Sequence, residues 1–141
     1  MSDPLPNFRK VPYSELNARQ RENHNFHKVA ACLSDYGYHS IRLSDDFQGA
    51  DFIALHIGGD DILRVQLKGR LTIDGKYEGK NLHVAFIEGD AVYVYPHDEA
   101  VAWVLANTKV VESASWRDNR GYSWPSVPGW IRGFLAPYQL A

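Results

Sequence analysis

The sequence predicts a single-domain α/β fold, a mixed sheet flanked by helices, and three observations carry that expectation. A stretch with helical apolar spacing runs from about Ser14 to Tyr36 and stops at Gly37. Short β-rich runs follow, separated by glycine-containing turns, and a second helical stretch opens near Asp98. At 141 residues with 45% hydrophobic content, the chain can bury one core, and nothing in it reads as a linker.

The first helix is bounded by Ser14 as N-cap, with Glu15 in the first turn, and by Gly37 at the end. Phe26, Val29, Ala30 and Leu33 set its core face. Carried backwards at ~100° per residue, the same stripe lands on Arg19, Glu22 and Asn23. Glu22 is therefore expected to point toward whatever the core face meets. The alternative is an overhanging helix, on which Arg19 and Glu22 form an i,i+3 pair worth a few tenths of a kcal/mol.

Tyr38 to Leu43 is the first expected strand, and Ser44 to Gly49 an expected loop. The run from Gly49 to Ile57 and the run from Ile62 to Gly69 flank the turn Gly58-Gly59-Asp60-Asp61, which reads as a β-hairpin. A tight turn pairs Ile57 with Ile62, Ile53 with Gln66 and Asp51 with Lys68. Opposed side chains share a face at ~5 Å and diagonal ones lie within ~7–8 Å. Asp51, Gln66 and Lys68 thus converge, with Arg64 further along the same face. An acid, an amide and an ammonium so placed can hold a metal ion and a phosphate.

The segment from Gly69 to Asn81 is barely long enough to cross between parallel strands, and either a short helix or a loop fits it. Leu82 to Ile87 and Ala91 to Tyr95 are expected strands around a Glu88-Gly89-Asp90 turn, and Asp98 is expected to cap a helix reaching about Ala106. From about residue 113 the chain is aromatic-rich, with Trp116, Tyr122, Trp124, Trp130, Phe134 and Tyr138 interleaved with Arg117, Arg120 and Arg132. Such rings can stack bases, but they more often pack across a sheet or an interface.

Composition limits the function classes. The apolar runs are too short to span a bilayer, the N-terminus shows no basic and apolar leader, and the lone Cys32 has no disulfide partner, so a cytoplasmic, reducing compartment is expected. A net charge of −2 argues against a general polybasic coat. The charge is unevenly placed. From Asp35 to Asp61 there are six Asp against Arg42 alone, whereas Arg64, Lys68, Arg70, Lys76 and Lys80 then outweigh Asp74 and Glu78. His24 and His27 with Cys32 lack the further ligands of a closed zinc site, and His97-Asp98 reads as a helix N-terminus rather than a catalytic pair. No serine-hydrolase elbow, Walker A loop or dinucleotide fingerprint occurs.

A helix bearing Glu22, a strand bearing Asp51 and the following Gln66-Leu67-Lys68 together resemble the PD-(D/E)xK nuclease superfamily over roughly Ser14 to Tyr95. Ala50 replaces the motif's proline, and Gln66 stands where an acid is usual, a variant that also occurs among some homing endonucleases. The resemblance implies a restriction-endonuclease-like domain that hydrolyses DNA phosphodiester bonds, with Glu22, Asp51, Gln66 and Lys68 as catalytic residues. It implies Mg²⁺ or Mn²⁺ held by Asp51, Gln66, the Leu67 carbonyl and Glu22, directly or through water. Lys68 would orient the attacking water or stabilise charge on phosphorus, while Arg64, Arg70, Lys76 and Lys80 would hold neighbouring phosphates. A homodimer is expected, because one site cuts one strand. The alternatives are a nucleic-acid-binding or assembly module of the same fold that has lost hydrolysis, with Gln66 as its sign, and an interaction protein whose aromatic tail is its interface.

Overall fold

The computed structural model describes residues 8–141. Helix α1 spans Ala18–Ser34, four residues later at its start than the sequence suggests. Ser14 lies instead in a single 3-10 turn, Tyr13–Glu15, after which Leu16 is extended. Asn17 wins as the cap because the arrangement is reciprocal: its Oδ1 accepts the Gln20 N–H and Gln20 Oε1 accepts its own N–H, each at 2.9 Å. At the other end Gly37, at φ +85°, turns the chain into the sheet.

Strands β1 (Tyr38–Phe47), β2 (Ala50–His56), β3 (Ile62–Leu67), β5 (Leu82–Glu88) and β6 (Ala91–Pro96) form a five-stranded sheet in the order β1-β2-β3-β5-β6. β3 and β5 are parallel and the other neighbours antiparallel, so the sheet is mixed. The connection from β3 to β5 holds a short strand, β4 (Thr72–Asp74), and a 3-10 turn, Gly75–Tyr77. β4 pairs with β7 (Gly121–Ser123) in a separate ladder. β1 is longer than expected: Ser44 to Phe47 continue the strand beyond a register shift between Arg42 and Phe47.

α1 covers one face of the sheet, where Phe26, Val29 and Leu33 meet Phe52, Ala54, Val65, Leu67 and Ala85. On the other face Val84, Phe86, Tyr93 and Tyr95 pack against Ala100, Val101 and Val104 of α2 (His97–Asn107) and against the C-terminal segment. That segment includes α3 (Ala114–Asn119) and α4 (Arg132–Leu135). Its rings pack on one another and on α2: Trp103 stacks on Trp130, and Trp124 meets both Tyr122 and Trp130. Two of its arginines are paired, Arg120 with Glu78 at 2.6 Å and Arg132 with Glu88 at 3.7 Å. The free edge of β6 is closed by the chain end, with Leu140 N–H donating to Val92 O at 2.8 Å and Val92 N–H to Ala141 O at 3.0 Å. Among the described residues no helix is long and apolar enough to cross a membrane.

Candidate active site

The β2–β3 pairing corrects the expected hairpin. Leu55 pairs with Ile62, Ile53 with Arg64 and Phe52 with Val65, and β2 ends at His56 while β3 begins at Ile62. His56 N–H closes the turn between them by donating to Asp61 O at 3.0 Å. Ile57 is drawn away from Ile62 because its N–H donates to Gly37 O at 2.9 Å, continuing the β1–β2 ladder, and the Asp61 carboxylate is taken by the Tyr38 hydroxyl. The resulting shift is two residues, so the side-chain parity is kept. Continued by one step, the observed register sets Asp51 opposite Gln66 rather than Lys68, which becomes the diagonal neighbour.

Asp51 is tied to the strand that faces it. Its Oδ2 accepts the Leu67 N–H at 2.8 Å. Burial pushes the Asp51 carboxyl above its ordinary range; the Leu67 N–H pulls it back, Glu22 and Asp46 push it further up, and Lys68 lowers it. A carboxylate with two acidic neighbours and incomplete hydration is a place where a cation lowers the energy.

Gln66 has one side-chain group paired and one not. Its Nε2 donates to Leu67 O at 3.3 Å, whereas its Oε1 is buried without a hydrogen-bond partner. An orphaned buried amide oxygen is costly by about 1–3 kcal/mol. It is also a neutral oxygen donor suited to a hard divalent ion.

Glu22 and Asp51 line one cleft of about 620 Å³, at the end of the sheet where β1 departs from regular pairing. The Glu22 side chain is 54% exposed and is not directed into the core. It overhangs, and its partner is Arg42 of β1, whose Nη2 donates to Glu22 Oε1 at 3.2 Å, rather than Arg19. Arg42 also donates to Asn23 Oδ1 and lies 5.2 Å from the centre of the Phe26 ring. Asp45 and Asp46 wall the same cleft, and Asp46 Oδ1 accepts the Gly49 N–H at 2.7 Å. Both fall in the segment expected to be a loop, and their signal in the sequence is the run of acids between Asp35 and Asp61.

The basic residues are dispersed. Arg64 is half-buried in β3, Arg70 is exposed in the bend after it, and Lys80 is half-buried in the loop before β5. Lys76 lies 3.8 Å from Asp74. Lys68 and Lys76 are gathered on one aromatic ring, with their ammonium nitrogens 5.2 and 5.1 Å from the centre of Tyr77. Among the described residues no three His, Cys, Asp or Glu side chains are placed to share a metal ion. Any ion at Asp51 needs the Gln66 oxygen, a backbone carbonyl or water to complete its shell. His97 is fully buried; its Nε2 accepts the Asp74 N–H at 3.0 Å and its Nδ1 lies 3.1 Å from Asp98 Oδ1, so it joins α2 to β4.

No protein-family model matches the chain, and no curated protein matches it in sequence. Among solved structures it is similar to a bacterial homing endonuclease, with a TM-score of 0.46 and 14% identity over 62% of this chain and 71% of that one. It is also similar to a Holliday junction resolvase of the archaeal hyperthermophile Archaeoglobus fulgidus, with a TM-score of 0.43 and 15% identity over 54% of this chain and 72% of that one.

Proposed function

We propose that this chain is a Mg²⁺- or Mn²⁺-dependent nuclease that hydrolyses DNA phosphodiester bonds and acts as a homodimer. The observation that carries the reading is the unpartnered, buried Oε1 of Gln66, next in the chain to Leu67, whose N–H Asp51 accepts. Asp51 and Gln66 are the protein oxygens that would hold the ion, with the Leu67 carbonyl beside them and Glu22 reaching it through water. When bound, such an ion polarises a phosphate oxygen and acidifies a coordinated water.

The chain's own residues supply the rest. The Leu67 N–H orients the Asp51 carboxylate before any ligand arrives. Lys68, held near Tyr77, brings the positive charge that the reaction needs near the attacking water and the phosphorus centre. Arg64, Arg70, Lys76 and Lys80 hold flanking phosphates, and the acidic cleft wall repels a nucleic-acid strand in the absence of a cation.

The test is to incubate the purified protein with supercoiled, linear and single-stranded DNA in Mg²⁺, Mn²⁺ or EDTA, beside Asp51→Ala and Lys68→Ala. Cleavage that needs metal and is abolished in both variants is expected. Either variant cutting at the wild-type rate would overturn the assignment. A second reading, a nucleic-acid-binding module without hydrolysis, is favoured by the amide at Gln66 and by the engagement of Glu22 with Arg42. Salt-dependent DNA binding with no cleavage in either metal would select it.

A further inference from the structure

Two lysines share one ring beside the proposed site, and the ring is not a passive surface. Tyr77 is 6% exposed and packs with Ala50 and Leu82 in a small apolar cluster of its own. A Cβ built on Gly49, which stands two residues before Asp51, would lie 3.1 Å from Tyr77 Cδ1, so the ring rests directly against the chain that delivers Asp51. On its other side it meets the buried His97 edge to face, with ring centres 5.6 Å apart and planes at 89°.

The turn that carries Tyr77 is itself anchored. Gly75 N–H donates to Arg120 O at 2.6 Å, Asp74 Oδ1 accepts the Lys76 N–H at 3.0 Å, and Arg120 reaches Glu78 at 2.6 Å. A ring held on so many sides has a fixed face, and its negative quadrupole attracts cations. Lys68 Nζ and Lys76 Nζ lie 5.2 and 5.1 Å from its centre. Their separation is therefore no more than about 10 Å. Lys76 also has Asp74 at 3.8 Å, which holds it loosely from the side.

We propose that Tyr77 is a positioning residue that holds the Lys68 and Lys76 ammonium groups on its ring, forming a two-cation clamp for nearby phosphates of one polynucleotide strand. The inference rests on the nuclease reading. It specifies the substrate as a strand with successive phosphates rather than a mononucleotide. Lys68 serves the reacting phosphate and Lys76 one along the strand.

The experiment pairs lysine NMR with kinetics in wild type, Tyr77→Phe and Tyr77→Leu. Protons next to an ammonium that sits over a ring are shifted upfield, so the ε-methylene signals of Lys68 and Lys76 should be upfield in wild type and in Tyr77→Phe. In Tyr77→Leu they should return to the ordinary lysine position. Cleavage of a DNA strand by Tyr77→Leu should fall at least tenfold, with lower kcat and higher KM. Tyr77→Phe should retain both, because it keeps the ring. Mn²⁺ affinity should stay within twofold in all three proteins, which separates loss of the clamp from loss of the metal site. Unshifted lysine signals in wild type, or Tyr77→Leu cutting within twofold of wild type, would overturn the proposal. Should Tyr77→Leu fail to fold by near-UV circular dichroism, the wild-type and Tyr77→Phe lysine signals decide it. Should wild type cut no nucleic acid at all, the nuclease reading fails, and the same signals still decide whether Tyr77 positions the lysines.

Discussion

Asp51 Oδ2 accepts the backbone N–H of Leu67 at 2.8 Å, a bond from the start of β2 to the end of β3. It makes the strand that carries Gln66 the clamp for the neighbouring carboxylate, and it sets Asp51 apart from a surface aspartate: one oxygen is committed to the fold while burial and nearby acids resist its ionisation.

The first prediction concerns that resistance. The Asp51 pKa is raised by burial above its unfolded value, so the folded chain keeps this proton to higher pH than the unfolded chain does. The stability linked to it is fully present below the unfolded pKa and is lost as pH rises through the raised folded one. Asp51→Asn still accepts the Leu67 N–H and never ionises. Its Tm should exceed that of wild type near neutral pH, with the gap closing as the pH falls below the ordinary carboxylate range. Thermal melts of the two proteins across that range check it; a gap independent of pH would mean that Asp51 ionises without cost.

Gln66 should separate stability from metal binding. Gln66→Met keeps the shape and removes the orphaned oxygen, so the metal-free protein should be as stable as wild type or up to about 1 kcal/mol more stable, while Mn²⁺ affinity falls. Gln66→Glu should do the reverse, tightening Mn²⁺ binding and lowering metal-free stability near neutral pH by adding a charge beside Asp51. Calorimetric titration and denaturant melts of the three proteins measure both quantities. Equal Mn²⁺ affinities would remove Gln66 from the site.

Glu22 acts on Asp51 through charge. In Glu22→Gln the pKa of Asp51 should fall, because a group that raises it is gone, and the pH at which Mn²⁺ begins to bind should fall with it. Stability should change by less than about 1 kcal/mol, since the Arg42 pair is largely exposed. Carboxyl-carbon NMR titration of Asp51 reads the shift directly, and an unmoved midpoint would detach Glu22 from the site.

Gly49 should be intolerant of any side chain. Its φ is +90°, and a Cβ there would meet Leu82 Cδ1 at 2.8 Å and the Tyr77 ring at 3.1 Å. Gly49→Ala should cost about 1–3 kcal/mol in a urea melt through backbone strain. The Asp51–Leu67 bond should weaken with it, visible as faster exchange of the Leu67 amide. Gly59→Ala offers the contrast: its φ is also positive, but no atom lies within 4 Å of the new Cβ.

Much of the fold follows from spacing between near neighbours in the chain, although the start of α1, fixed locally by Asn17 and Gln20, lies later than that spacing suggests. The apolar stripe of α1 is buried at Phe26, Val29 and Leu33, and the strands after Gly37 appear in the expected order; of the C-terminal rings, Trp116 and Trp124 are buried and Trp130 is exposed. The hairpin register differs from the expected one by two residues, and an even shift leaves the alternation of side chains along β2 and β3 unchanged. Those features are set by backbone geometry and by which side chains avoid water, and neighbours in the chain suffice to specify them.

Where competing groups found their partners depended on segments distant in the chain. Ile57 could have closed a tight hairpin, but its N–H goes to Gly37 O; Glu22 could have paired along its helix with Arg19, but Arg42 arrives from β1. Asp45 and Asp46 became cleft wall because β1 runs on past Arg42, and Tyr77 became the seat of Lys68 because the short β3–β5 crossover folds it under Gly49. For Ile57 and Glu22 the local alternative was worth little. A hydrogen bond or charge from a distant segment outweighed it, and that segment's position is known only once the sheet has formed.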